Sequence, residues 1–216
     1  SKNSLSDFIS PIIDFLSSIG INFFGSDPVS AGFGLFNAGG IIFMIIGIGL
    51  SKMLADKYGK RNVFGVFLFI STLFILVFYV LSPDSINLIF GAQIFHGFFY
   101  GITIPLLWAM IADVADYSEW KNNRRATAII FSAMMVGLKL GLSIGGALVA
   151  SILGSYGYVP NSVGEQTESA ILGTKMLVSI FPSIPFLVAA ALLFFYIIDK
   201  KMEEKIEQDL LKKRKS

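Results

Sequence analysis

The 216 residues contain no cysteine and a single histidine, His96. Disulfides, thiolate metal sites and cysteine nucleophiles are therefore excluded. Charge is also scarce: Asp, Glu, Lys and Arg make up 15% of the chain, against about 25% in a soluble domain. Seventeen basic and 15 acidic residues leave a net charge of +2, too small to argue for a nucleic-acid partner. The opening SKNSLSDF has no basic stretch and no small-residue cleavage site, so it is not expected to be a secretory signal. Apolar residues dominate instead. They form 54% of the chain, with 21 Phe and 21 Gly, and the mean hydropathy is +0.71. This composition belongs to an integral membrane protein.

Crossing a bilayer takes about 20 mostly apolar residues in a helix. Five stretches qualify, at 29–51, 62–82, 86–112, 126–153 and 171–198. Their apolar runs are continuous rather than alternating, which selects an all-α bundle over a barrel. In the segment 1–28, Leu5, Phe8, Ile9, Ile12, Ile13, Leu16 and Ile19 recur on one helical face. That pattern fits an amphipathic helix on the membrane surface, or else a loop packed on the helix ends. The tail, 199–216, places Met202, Ile206 and Leu210 at i, i+4 steps. It is either a short amphipathic helix on the inner leaflet or a solvated tail. Basic residues follow the first and third spans and fill the tail, whereas 82–85 and 154–170 hold no Lys or Arg. The positive-inside rule then places the tail in the cytoplasm, and five spans place the other end outside.

Lys139 stands at the middle of the fourth span, 126–153. At 1.5 Å per residue it lies ~20 Å from either helix end, too far for its stem to snorkel. A lysine there costs about 2.5–3.5 kcal/mol and normally faces a bundle interior or a water-filled cavity. It is therefore a candidate for substrate contact, ion coupling or gating, with a buried structural ion pair as the alternative. Ser132 and Ser143 share its face, while Gly137, Gly141 and Gly145 form a small-residue ridge on a largely different one. One side of this helix is expected to pack and the other to present a cation. On the third span Gln93, His96, Tyr100 and Thr103 recur at three- and four-residue steps, and Asn37 is a similar candidate on the first. His96 is either a titrating group or a hydrogen-bonded packing residue. Pro105 should bend the third span, and Pro182 and Pro185 the last.

After the third span, IADVADYSEWKNNRRAT places Asp113, Asp116 and Glu119 on one helical side, followed by Lys121, Arg124 and Arg125. Carboxylates at one helix end facing arginines at the next helix start can form a charge lock, or remain ordinary solvated charge. Paired carboxylates also suit acid–base catalysis. No nucleophile, metal set or phosphate loop accompanies them, so an enzyme is not expected.

Asp113-x-x-Asp116-Tyr117-x-Glu119-x-Lys121, then Arg125, Ser132 and Lys139-x-Gly141, with GYVPN at 157–161, resembles the glycoside–pentoside–hexuronide:cation symporter family of the major facilitator superfamily. LADKYGKR at 54–61, with Asp56, Gly59, Lys60 and Arg61, is similar to the superfamily's loop signature between helices eight and nine. The resemblance covers nearly the whole chain. It implies helices eight to twelve of a twelve-helix transporter, with 1–28 as an external segment, 29–198 as the C-terminal bundle and 199–216 as a cytoplasmic tail. It also implies alternating-access transport of a sugar, glycoside or uronide with Na+, H+ or Li+ across the inner cell membrane. In the family, the lysine matching Lys139 is important for transport, and the residues matching Asp113, Asp116 and Arg125 belong to the cytoplasmic gate. The family's cation-binding carboxylates lie in its N-terminal half. The chain is therefore expected to be a C-terminal portion that holds no cofactor or metal of its own, with that half, the sugar and the bilayer as partners. Met134 and Met135 stand where a well-known member has polar residues; they suit an apolar aglycone or a different sugar. A lysolipid or other amphiphile carrier is the alternative within transport. A non-transporting membrane scaffold from a truncated gene is the alternative outside it.

Overall fold

The computed structural model describes residues 2–19, 28–160 and 166–215. Among them every regular element is helical: α1 (Lys2–Ser18), α2 (Pro28–Tyr58), α3 (Lys60–Val80), α4 (Ile86–Asn122), α5 (Thr127–Ser155), α6 (Glu168–Val178), α7 (Ile180–Leu192), a 3-10 turn (Leu193–Phe195) and α8 (Lys200–Lys215). Five helical runs among the described residues are long and apolar enough to cross a membrane, the last being Glu168–Phe195. Asn161 of the GYVPN stretch lies outside the described residues.

Two helices outrun their apolar segments. Helix α2 continues to Tyr58 and α4 to Asn122, because no residue in the charged extensions breaks the hydrogen-bond ladder. Each stops at a residue with positive φ, Gly59 at 84° and Asn123 at 54°. Gly59 is the whole connection between α2 and α3, and a Cβ there would come within 3.1 Å of Lys200 Cβ.

The prolines behave differently from one another. Helix α4 runs unbroken through Pro105. The last span does break, at Ser179 (φ −126°, ψ −72°), three residues before Pro182. A proline ring clashes with the carbonyl one turn earlier, so the distortion appears N-terminal to the ring. Serine hydroxyls bridge the break: Ser179 Oγ donates to the Lys175 carbonyl and Ser183 Oγ to that of Ser179, at 2.6 Å in the second case. Both serines are buried, as hydroxyls that satisfy freed carbonyls in an apolar helix should be.

The core lies where α2, α3 and α4 meet, around Ala55, Val63, Phe64, Leu68, Ile102, Leu106 and Met110, with Phe186 and Ala190 of α7 packed against it. Helices α2 and α4 share the most extensive interface. Glycines make it possible. A Cβ on Gly47 would sit 2.2 Å from the Phe98 carbonyl oxygen, one on Gly97 2.3 Å from that of Gly40, and one on Gly101 2.2 Å from that of Met44. Small residues allow backbones to approach this closely. Among the described residues the packing ridge expected on α5 meets no neighbour. Nothing lies within 4 Å of a Cβ placed on Gly137, Gly141 or Gly145, and no residue of α5 is buried. Helix α5 touches α4 and α6 only sparingly. Tyr156, just past its end, anchors it against Gly173.

Helix α1 unites the two expectations for the opening segment. It is helical with an apolar face, and that face packs on the bundle. Ile9 is buried against Gly32 of α2, and Phe8 meets Phe90 of α4 edge-on at 5.0 Å.

Candidate functional site

Charged side chains converge at the basic end of the bundle. Lys60, at the start of α3, places Nζ 2.7 Å from Asp113 on α4 and 2.8 Å from Glu203 on α8. Arg125, entering α5, lies 2.9 Å from Asp116 and 3.7 Å from Glu119, and Arg214 of α8 reaches Glu119 at 3.1 Å. Two sets of ion pairs, one around Lys60 and one around Arg125 and Glu119, therefore tie α3, α4, the start of α5 and α8 together. Their members differ in weight. The Lys60 and Asp113 side chains are 23% and 14% exposed, whereas those of Arg125 and Asp116 are 49% and 36% exposed. An exposed pair contributes about 0–1 kcal/mol, so the Arg125–Asp116 contact is a weak tie.

The expected lock between the carboxylates and Arg125 is present in geometry, but Asp113 faces Lys60 instead. Lys121 donates to the Tyr117 hydroxyl at 3.2 Å, and the Arg124 carbonyl accepts from Ser118. Asp56 contributes its backbone carbonyl, which accepts from Lys200 Nζ at 2.6 Å. Beyond the last span, burial and the nearby Asp113 and Glu203 carboxylates push the Tyr196 phenol up. It stays protonated and donates to the Met110 carbonyl at 3.2 Å.

The tail is helical, as its apolar spacing suggested, but it is seated on the protein rather than on a leaflet. Ile206 and Leu210 are buried with Ile198 against Val114, Tyr117 and Trp120. Trp120 Nε1 donates to Asp209 at 3.0 Å, and Lys213 to Asn123 at 2.6 Å. Truncating a buried isoleucine to alanine costs about 2–5 kcal/mol when the gap cannot close. At this edge, Ile206→Ala should cost near the lower figure and strip hydrogen-exchange protection from 200–215. Unchanged protection would mean that the tail is not held by this contact.

A cavity of about 870 Å³ opens between α3, α4, α6 and α7. Gln93, His96 and Tyr100 of α4 line it together, next to apolar walls from Phe36, Phe78 and Phe186. Tyr100 stacks between His96 and Phe186, 5.7 Å from each ring. His96 Nδ1 lies 3.1 Å from the Ser71 carbonyl. A carbonyl only accepts, so Nδ1 carries a proton toward it and Nε2 is left for another partner. This is the hydrogen-bonded alternative for His96, and it still leaves one ring nitrogen for a ligand. Lys175 on α6 also lines the cavity, with Nζ 5.6 Å from the Tyr79 ring centre. Sequence reasoning missed it, although a cation inside the apolar run 171–198 is the same signal that singled out Lys139.

The other sequence candidates lie elsewhere. Thr103 is buried and bonds to the Tyr100 carbonyl. Asn37 spends its amide on the Phe33 carbonyl of its own helix, at 2.8 Å. Ser132, Lys139 and Ser143 stand on the open surface of α5 and do not line the cavity. Lys139 forms no ion pair among the described residues.

A family model described as "MFS/sugar transport protein" matches residues 15–200. The chain is 35% identical to an uncharacterised 29.9 kDa protein in the crtE 3′ region of Pseudescherichia vulneris, over 73% of this chain and 57% of that protein. It is 30% identical to the putative glycoside/cation symporter YagG of Escherichia coli (strain K12), over 76% of this chain and 35% of the relative. It is 29% identical to the isoprimeverose transporter of Lactiplantibacillus pentosus, over 91% of this chain and 41% of the relative. The chain thus spans between about a third and just over half of the length of these relatives.

Proposed function

Because the chain belongs to the sugar-transporting glycoside–pentoside–hexuronide symporters of the major facilitator superfamily, we propose that it supplies helices eight to twelve of a cation-coupled glycoside symporter working by alternating access. The observation that carries this reading is α5. It is a span-length helix with no buried residue, and the lysine at its centre forms no ion pair among the described residues. Such a surface is one wall of a translocation path, and the rest of the transporter supplies the other wall. The coupling cation is held in that remainder, and its binding favours sugar binding by linkage. The ion pairs at the basic end, cytoplasmic in this reading, join helices that a rocking transporter must move against one another. One relative named for a glycoside and another named for isoprimeverose support a sugar as the cargo.

The test is uptake. The transporter that contains this chain, reconstituted in vesicles, should accumulate a glycoside in response to a Na+, Li+ or proton gradient. The 216-residue chain alone should accumulate none above leak. Uptake by the chain alone would refute the shared-path reading. The apolar walls of the α3/α4/α6/α7 cavity support a second reading, carriage of an amphiphile such as a lysolipid. Competition of glycoside uptake by a lysophospholipid, but not by a second sugar, would favour it.

A further inference from the structure

The loop signature at 54–61 contains two adjacent cations that the fold sends in different directions. Lys60 points into the first set of ion pairs and meets two carboxylates. Arg61, one helical step round α3, forms no hydrogen bond or ion pair among the described residues. It lies instead at the mouth of a groove of about 550 Å³ between α3 and the end of α7. Apart from Asn62 beside it, the groove is apolar, with Val66 and Phe69 on one wall and Leu187, Ala190 and Phe194 on the other. No described residue covers this face: Val66 is 55% and Phe194 82% exposed. A half-buried guanidinium at the head of an open apolar furrow, between two helical runs long enough to cross a bilayer, calls for an anion joined to a hydrocarbon chain.

We propose that the α3/α7 groove binds one anionic phospholipid, its phosphate on Arg61 and an acyl chain along Val66, Phe69 and Leu187. The dimensions agree. From Arg61 to Phe69 is eight residues, about 12 Å of helix, so the headgroup stays at the charged end while the chain follows the span. Gly65 shapes the floor, because a Cβ there would approach Leu193 Cδ1 to 3.1 Å. The planar fork of arginine suits phosphate better than a point charge does. This inference stands on the groove alone and does not depend on the transport reading.

Native mass spectrometry of the 216-residue chain in detergent, titrated with dioleoyl phosphatidylglycerol or dioleoyl phosphatidylcholine, tests it. The chain should retain one phosphatidylglycerol tightly and show no matching site for phosphatidylcholine. Arg61→Gln should weaken that site about fivefold, the contribution of one basic residue to an anionic lipid surface. Arg61→Lys should fall between the two. Ala190→Phe, which fills the groove and leaves the charge in place, should weaken it at least as much. Lys52→Gln, an exposed cation outside the groove, should change it less than twofold. Equal losses for Lys52→Gln and Arg61→Gln would reduce the effect to general surface charge and overturn the proposal. So would displacement by inorganic phosphate alone. If Ala190→Phe dissolved a dimer without changing the bound lipid, the groove would belong to a second copy of the chain, and the proposal would fail.

Discussion

Gly101→Leu should pull α4 away from α2 and lower the stability of the bundle by at least about 3 kcal/mol, the upper part of the range for overpacking a tight interior. The first atoms a side chain would meet are the carbonyl oxygen of Met44 at 2.2 Å and its Cα at 2.9 Å. These belong to the backbone, so no rotamer change relieves the clash and the helices must separate. Gly97, one turn earlier on the same face, is equally tight against the Gly40 backbone. Separation at 101 therefore opens the contact at 97 and loosens the Ile102–Leu106–Met110 layer beside it. For a chain of this length the unfolding midpoint in detergent should fall by about 6–12 °C. Gly141→Leu on α5, where nothing lies within 4 Å, is the matched control and should move the midpoint by less than a degree or two. Similar shifts for both variants would show that helix propensity, not interhelical contact, governs these positions.

The same comparison marks how far the sequence could be read. Both glycine sets recur at one-turn spacing, so the pattern announced close packing on α5 as loudly as on α4. Which ridge meets a neighbour depends on where other helices lie, and that is not a local property. Span existence was legible because crossing a bilayer imposes a length of apolar residues that no other requirement mimics. The pairing of Arg125 with Asp116 and Glu119 was legible too, since the three sit across one short connection. The Lys60–Asp113 contact was not, because its partners are 53 residues apart. The tail's apolar spacing declared a face without saying what it would face. It found Trp120 and Tyr117 on α4 rather than lipid. At the cavity, helical spacing grouped Gln93, His96 and Tyr100, which line it, with Thr103, which does not. Lys175 carries the same signal as Lys139, a lone cation within an apolar span, but it sits nearer a helix end, where a lysine is commonplace.

Lys139→Leu should abolish coupled glycoside uptake by the complete transporter while improving, or at least preserving, membrane insertion. The two readouts move in opposite directions for a physical reason. A lysine at a helix centre costs about 2.5–3.5 kcal/mol on insertion scales, and leucine is favourable there by about 0.5 kcal/mol. A chain that keeps the lysine must recover that cost elsewhere. Among the described residues nothing recovers it: Lys139 has no ion pair, it is exposed, and its helix buries no residue. Among the described residues it therefore forms no buried structural pair. In the proposed transporter the compensation would come from outside the described helices, through an anionic group of the other half, a polar substrate or water in the path between. In the 216-residue chain alone, Lys139→Leu should leave the unfolding midpoint unchanged, since no contact is lost. In the complete transporter it should remove uptake by at least about a hundredfold, in line with the loss of a buried charge contact of about 3 kcal/mol. Normal gradient-driven uptake by the variant would sink the assignment of α5 to the path and leave the lysine without a function. A large loss of stability in the isolated chain would instead place its partner within these five spans.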